Sequence, residues 1–266
     1  MLPEKFDTIR RQWRSELFST EPWIPSADPP IKPGEAGGYR VKSGGLVAYL
    51  KPTNLCPEDH PRAANEKIVS DLAFELSMSV PPMLLYRRTA PPPTEETRCC
   101  VSLILYPSVY EWEFLWNMAT FPESVQQIIR TMISRYSSTL ALDLLIHQTD
   151  RNNQRNGVFC TDPGNPTYGE LLFLDHSNTL NFQNRWNGDA WKRMEMINIP
   201  ATFRGSIDKA RVIEGAKQIE SLPDATIRAI IDRIPDDFMS RAHKERVAMG
   251  LIGRKSLVRP FVESSL

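Results

Sequence analysis

The arrangement of apolar and polar residues predicts two helices and four strands before Pro107. The helical segments carry apolar residues at spacings of three and four, whereas the strand segments are short runs bounded by glycine, proline or polar turns. The predicted helices span residues 3–18 and 62–79, and the predicted strands span residues 39–42, 46–51, 83–88 and 99–106. We therefore expect this part of the chain to be rich in sheet.

Beyond Pro107 the apolar pattern becomes mainly helical. Pro122 suits the first turn of a long helix, and further amphipathic runs follow later in the chain. These predicted helices span residues 123–147, 207–219, 222–233 and 235 to about 250, with residues 257–266 as a tail. We expect an α+β fold of two lobes, residues 1–106 and 107–266, with a cleft between them that suits a small ligand.

A predicted hairpin in the second part brings two acidic residues to one place. One strand begins at Gly157, the turn TDPGNPTYG follows, and the second strand covers residues 170–174. If these strands pair, Asp150 and Asp175 lie at the same end of the ribbon. Together with a neighbouring amide-rich loop they form an oxygen-rich ligand set of the kind that Mg²⁺ and phosphate prefer. The loop contributes Asn152, Asn153 and Asn156.

Clusters of Asp and Asn between elements also form turns, because their side chains bond their own backbone. The residues alone leave that alternative open for the TDRNNQRN loop. Asp175 favours the metal site, since it follows the apolar run Leu-Leu-Phe-Leu. A carboxylate at the end of a buried strand needs a partner or a metal.

Candidate phosphate-binding residues occur in the first part. Lys51 ends a predicted strand, where it could hold a phosphate as a point charge or simply mark a strand edge. Gly34, Gly37 and Gly38 could cradle phosphates with their amides, although a glycine-rich turn between strands has the same pattern. Glu66 could pair with Lys51, or it could interact only with the dipole of its own helix.

Composition and charge narrow the function classes. The 266 residues include 32 basic and 32 acidic side chains, so no basic field indicates nucleic acid or an anionic membrane as a partner. The four cysteines show no CxxC spacing, which disfavours zinc and a disulfide framework. No apolar run approaches ~18 residues, and the start lacks the order of a signal peptide. We expect a soluble cytoplasmic protein.

Several motifs together resemble the HipA-like branch of the protein-kinase-like superfamily, which also includes the phosphatidylinositol 3- and 4-kinases. The resemblance covers roughly residues 36–250, and LLFLDHSNTLNFQNRW is its most specific motif. The other motifs are LVAYLKP, NEKIVSDLAFELSMSVPP, TDRNNQRNGVF and IIDRIPDDFMSRAHKERVAMGLIGR. The resemblance implies a two-lobed protein-kinase-like fold with a sheet-rich N-lobe and a mainly helical C-lobe that carries a catalytic β-hairpin.

The resemblance also implies roles for individual residues, following the general scheme of protein kinases. Lys51 would hold the α- and β-phosphates of ATP and Glu66 would pair with it. Asp150 would receive the proton of the acceptor hydroxyl, and Asp175 would bind Mg²⁺.

The adenine-binding hinge and the glycine-rich turn complete the implied nucleotide site. The hinge is the segment of Leu105, Tyr106 and Ser108, and Gly37 and Gly38 would approach the phosphates.

One position departs from the kinase pattern. The metal-binding Asn of the catalytic loop lies five residues after the catalytic Asp in kinases, and that position is Arg155 here. We assign the role to Asn156, rather than Asn153, because Asn156 directly precedes the strand. The shift bears on catalysis more than on nucleotide binding.

These observations favour an ATP- and Mg²⁺-dependent kinase whose acceptor is a Ser or Thr hydroxyl of an unidentified protein. The shifted Asn156 keeps open a pseudokinase that binds nucleotide without transfer. A metal-dependent hydrolase would leave Lys51 and Glu66 unexplained; its ligands would be Asp150, Asp175, His147 and His176.

Overall fold

The computed structural model describes residues 4–26, 38–52, 61–89, 96–105, 108–111, 118–152, 156–162, 165–195, 197 and 199–265. Its first part contains an antiparallel sheet of five strands in the order β1-β2-β3-β5-β4. Helix α1 precedes this sheet, and helix α2 lies between β3 and β4. The elements are α1 (Glu4–Ser15), β1 (Ile24–Pro25), β2 (Tyr39–Ser43), β3 (Leu46–Pro52), α2 (Arg62–Glu75), β4 (Met83–Thr89) and β5 (Glu96–Ile104).

The second part consists of a three-stranded antiparallel sheet, in the order β6-β7-β8, and a group of helices. Short 3₁₀ helices occur at Met118–Thr120, Phe182–Asn184 and Ala190–Lys192. The longer elements are β6 (Ser108–Glu111), α3 (Glu123–Arg135), α4 (Thr139–Ile146), β7 (Gly157–Asp162), β8 (Asn165–Phe173), α5 (Ala201–Arg204), α6 (Lys209–Ser221), α7 (Asp224–Asp232) and α8 (Arg241–Ser265). No helix in the described part of the chain is long and apolar enough to cross a membrane.

Helix α2 is buried around nearly its whole circumference. It packs on β4 and β5, and it also contacts α4 and α7 of the second part. Eleven of its residues are buried, among them Glu66, Lys67 and Asp71. Because charged side chains are rarely buried without partners, these three must be held by specific contacts.

The hairpin of β7 and β8 links the two parts. Val158, Cys160 and Leu172 pack in the apolar cluster under the first sheet. Phe159 and Phe173 belong to the larger core that α2 shares with the helices. Gly157 pairs with Phe173, so the residues that precede β7 and follow β8 lie at one end of the ribbon.

The structure differs from the sequence prediction in the middle of the chain. The predicted helix over 123–147 is two helices, because it is interrupted at residues 136–138. Ser137 takes part in the break: its hydroxyl donates to the Ile133 carbonyl and accepts from the Asp208 amide. The predicted turn TDPGNPTYG lies largely in strand, because β7 continues to Asp162 and β8 begins at Asn165.

The end of the chain also differs, because the predicted tail 257–266 is helical to Ser265 and the last helix begins at Arg241. Val258 and Val262 are one helical turn apart and fully buried in the core. Their burial stabilises the helix in spite of Pro260, which lacks an amide hydrogen.

Candidate active site

Lys51 and Glu66 form the centre of the site. Lys51 is near the end of β3, and its Nζ lies 2.5 Å from Oε1 of Glu66, which is fully buried on α2. Burial lowers the pKa of Lys51, but the carboxylates of Asp175 and Glu66 outweigh burial and hold that pKa above its usual value. Lys51 is therefore a permanent cation, held in one position by a strand and a helix.

Asp175 follows the hairpin and lies on the other side of the same cation. Its Oδ1 is 3.0 Å from Lys51 Nζ and accepts a 2.8 Å hydrogen bond from the Ser177 hydroxyl. Burial alone would raise the pKa of Asp175. The charge of Lys51 and the hydrogen bond from Ser177 lower that pKa by more than burial raises it, so it lies below the ordinary value. Asp175 has a left-handed backbone with φ of 57°, and 41% of its side chain is exposed. An ionised carboxylate is thus presented to solvent.

Asp150 and Asn156 lie before the hairpin, on the loop that follows α4. Asn156 is fully buried, and its Nδ2 donates a 2.8 Å hydrogen bond to the backbone oxygen of Asp150. Among the described residues, nothing bonds Oδ1 of Asn156 or the buried Oδ1 of Asp150. Burial and then the negative charge of Asp175 raise the pKa of Asp150. Both residues therefore have an oxygen atom that is available to a ligand or to water.

The oxygen atoms of Asp150, Asn156 and Asp175 fit a hard divalent cation such as Mg²⁺, which prefers carboxylate and carbonyl oxygens. The orphaned Oδ1 of Asn156 is the specific observation behind this fit, because buried acceptors without partners are rare. Within the described ranges, no group of three His, Cys, Asp or Glu side chains is arranged to hold a metal. The four residues of the hydrolase hypothesis therefore do not form such a cluster.

Arg151 is a supporting residue that the sequence analysis missed. It is fully buried, and its guanidinium donates to both carboxylate oxygens of Asp143 on α4, at 2.8 and 2.7 Å. It also donates to the backbone oxygens of Asn156 and Leu174. Arg151 thus ties α4, the loop of Asp150 and the end of the hairpin together. The signal in the sequence was Asp143, a charge inside the apolar run ALDLLI.

His176 lies between the two buried networks. Nη2 of Arg151 is 3.2 Å from its Nε2, and because a guanidinium can only donate, Nε2 accepts. Its Nδ1 lies 3.6 Å from Oε2 of Glu66, which is beyond hydrogen-bond distance. His176 therefore bonds to the Arg151 network and lies beside the Lys51–Glu66 pair.

His147 stands apart from this arrangement. It ends α4 in a left-handed conformation, and its Nδ1 accepts a 3.3 Å hydrogen bond from the Trp186 indole. Its pKa is lowered to about 4 by burial and by Arg254 and Arg185. The ring is therefore a neutral structural group at neutral pH.

Three of the remaining predicted nucleotide-binding residues are described. Leu105 is buried in the apolar cluster under the first sheet, and Ser108 begins β6, where it pairs with Thr161. At Gly38, an added Cβ would lie 2.6 Å from the ring of Tyr49. Packing against Tyr49 therefore explains a glycine at this position. Gly37 and Tyr106 lie outside the described residues.

Neither a protein-family model nor a curated protein sequence matches this chain. Among solved structures, it is similar to the proinflammatory kinase CtkA of Helicobacter pylori, with a TM-score of 0.66 and 14% identity. The similarity covers 94% of this chain and 99% of CtkA. WaaP in complex with acyl carrier protein matches with a TM-score of 0.38 and 12% identity over 98% of both chains.

The likeness to CtkA extends over nearly the whole of both chains, and at this identity it shows the fold. A sheet-rich first part and a mainly helical second part, whose hairpin packs against both, agree with it. The predicted fold class is confirmed: the chain has an α+β, protein-kinase-like fold.

Proposed function

We propose that this protein is an ATP- and Mg²⁺-dependent phosphotransferase of the HipA-like type, with a Ser or Thr hydroxyl of a protein as its acceptor. The observation that carries the proposal is the position of Lys51, which contacts Glu66 at 2.5 Å and Asp175 at 3.0 Å. A cation fixed between a helix carboxylate and a carboxylate open to solvent is the arrangement that phosphoryl transfer from ATP uses.

Each residue has a defined task in this proposal. Lys51 binds phosphate oxygens, and Glu66 holds Lys51 in place. Asp175 and Asn156 would hold the metal ion, which would neutralise the charge on the phosphate oxygens. Asp150, whose pKa is raised, orients the acceptor hydroxyl and takes its proton. Such chemistry requires positioning and electrostatic stabilisation more than covalent help from the protein.

Asn156 bears directly on whether transfer occurs. It lies one residue later than the kinase pattern has it, yet it is bonded to the backbone of Asp150 and has a free, buried oxygen. This contact supports a loop that absorbs the extra residue and keeps the amide beside Asp150. It favours an active enzyme over a nucleotide-binding module without transfer.

The test combines two measurements on the wild type and on the Asp175→Ala variant. The melting temperature is followed with ATP, with and without Mg²⁺, since a ligand that binds only the folded state raises it. Intact mass is then measured after incubation with ATP and a mixed protein substrate. A Mg²⁺-dependent shift with transfer, both lost in the variant, is expected. A shift without transfer to any protein would overturn the kinase proposal in favour of the binding module.

A further inference from the structure

A buried aromatic ring lies in the segment that follows the candidate active site. Phe182 is 6% exposed, and its segment is fixed to both parts of the molecule. The amide of Leu180 donates a 2.7 Å hydrogen bond to Ile146 of α4. Asn65 of α2 donates to the backbone oxygens of Ser177 and Thr179, at 3.1 Å each. The ring therefore has a defined position between α2 and the loop of Asp150.

Two guanidinium groups lie over this one ring. The central carbon of Arg62, the first residue of α2, is 5.4 Å from the ring centroid. That of Arg185 is 5.6 Å from the same centroid. A cation over an aromatic face gains ~0.5–2 kcal/mol, but the ring does not neutralise its charge. We call Arg62 and Arg185 the Phe182 arginine pair.

Neither member of the Phe182 arginine pair contacts a carboxylate among the residues that the structure describes. Arg62 makes no hydrogen bond in this part of the chain, and its Nε is buried. Among the described residues, Arg185 donates only to the backbone oxygens of Phe182 and His147, both at 3.2 Å. Arg151 is different, because both oxygens of Asp143 satisfy it.

Such an arrangement favours the binding of an anion. Two like charges near one ring repel each other, and a buried donor without an acceptor costs ~1–3 kcal/mol. A phosphate or carboxylate group would satisfy both conditions, since the planar guanidinium group matches the geometry of these anions.

The Phe182 arginine pair lies next to the proposed catalytic residue. The carbonyl that Arg185 contacts belongs to His147, three residues before Asp150. Burial lowers the pKa of Arg185, and the negative charges of Asp150 and then Glu195 act in the opposite direction. Arg185 and Asp150 therefore share one electrostatic environment. Arg62 lies one helical turn before Glu66 on α2. An anion bound by the pair would therefore lie close to the site of transfer.

We propose that Arg62 and Arg185 form an anion-binding subsite that recognises a phosphate or carboxylate group on the acceptor protein, near the hydroxyl to be phosphorylated. The term acceptor rests on the proposed kinase function. The binding of an anion by Arg62 and Arg185 does not depend on the kinase function, and it can be tested separately. Acceptors would then be Ser or Thr segments that carry phosphoserine, Asp or Glu close to the target hydroxyl.

Three acetylated and amidated tripeptides with a central phosphoserine, glutamate or serine are titrated calorimetrically into the full-length protein. The phosphoserine peptide should bind to the wild type, and the serine peptide should not. Binding of the glutamate peptide distinguishes recognition of any anion from recognition of phosphate. Arg62→Gln and Arg185→Gln should each weaken phosphoserine binding ~10-fold or more, the scale of one hydrogen bond to a charged group.

Three further variants and one parallel measurement separate the alternatives. Arg228→Gln, a surface control, and Lys51→Met should bind the phosphoserine peptide like the wild type, whereas Arg62→Lys should keep part of the affinity. The rise in melting temperature caused by ATP and Mg²⁺ is recorded for each protein. The kinase proposal predicts that, among these variants, only Lys51→Met loses this rise. Absence of this rise in the wild type would contradict the kinase proposal, and it would not affect the peptide-binding result.

The subsite proposal is overturned if the wild type does not bind the phosphoserine peptide. It is also overturned if both arginine-to-glutamine variants bind it with wild-type affinity. Loss of binding in Lys51→Met alone would place the anion in the nucleotide site and would likewise exclude the subsite.

Discussion

Arg151 and Asp143 form a fully buried ion pair, with two hydrogen bonds of 2.7 and 2.8 Å between the guanidinium and the carboxylate. The same guanidinium reaches the backbone on both sides of the hairpin, at Asn156 and Leu174. The positions of Asp150 and Asp175 therefore depend on a contact between two side chains that are themselves fully buried.

Arg151→Met should lower the free energy of unfolding by ~3–5 kcal/mol, because it leaves the carboxylate of Asp143 buried without a cation. Urea unfolding followed by circular dichroism measures this loss. The control is Arg228→Met, which removes an exposed pair with Glu245 and should cost less than ~1 kcal/mol. Equal losses in the two variants would contradict a special role for the buried pair.

The Lys51–Glu66 pair should show strong coupling in a double-mutant cycle. Lys51→Met leaves the buried Glu66 carboxylate without its cation and should destabilise the protein by ~3 kcal/mol or more. Adding Glu66→Gln to this variant removes the uncompensated charge, so the double variant should be more stable than the sum of the two single changes predicts. Additive losses in urea unfolding would show that the pair is not coupled.

Asp150→Asn should reduce turnover by ~10²-fold or more, the scale of a positioned acid-base group, while the ATP-dependent shift in melting temperature stays near the wild-type value. Transfer is measured as the rate at which phosphate from ATP is incorporated into protein. Asp189→Asn is the matched control, since Asp189 is a largely exposed carboxylate paired with Lys192. Unchanged turnover in Asp150→Asn would remove Asp150 from its proposed role.

The stability of the protein should depend on pH through His147. Its pKa is lowered in the folded protein from 6.5 to about 4, first by burial and then by Arg254 and Arg185. Between these values the unfolded chain binds a proton that the folded protein does not. The free energy of unfolding should therefore fall as the pH is lowered through this window, by on the order of 1–3 kcal/mol.

The matched variant is His147→Asn, because asparagine tolerates the left-handed backbone at this position. Urea unfolding of both proteins at about pH 4.5 and about pH 7 provides the comparison. The loss of stability at the lower pH should be smaller in the variant. An identical loss in both proteins would assign the pH dependence to other groups.

The sequence was informative where local pattern and chemistry agreed. The periodicity of apolar residues predicted α2 and the strands around it, and the hairpin placed Asp150 and Asp175 at one end of a ribbon. The structure brings Lys51, Glu66 and Asp175 into contact, although 124 positions separate Lys51 from Asp175.

The sequence was less informative where tertiary contacts override local preference. The break at residues 136–138 and the helix through Pro260 depend on contacts with distant residues. Arg62 and Arg185 could not be associated by any spacing rule, since only the fold brings both to the ring of Phe182.

The burial of α2 makes helix α1 part of the support of Glu66. Lys67 follows Glu66 directly, yet its Nζ binds the backbone oxygen of Trp13 on α1 at 3.0 Å and Asp71 at 2.9 Å. Arg233, the residue directly after α7, donates to the backbone oxygens of Arg14 and Ser15. Both parts of the molecule therefore bind α1. A shortened chain that starts after Ser15 would uncover Asp71 and Lys67, and Lys67 is one peptide bond away from Glu66, the residue that holds Lys51. Helix α1 is therefore as much a component of the candidate active site as the strand that carries its lysine.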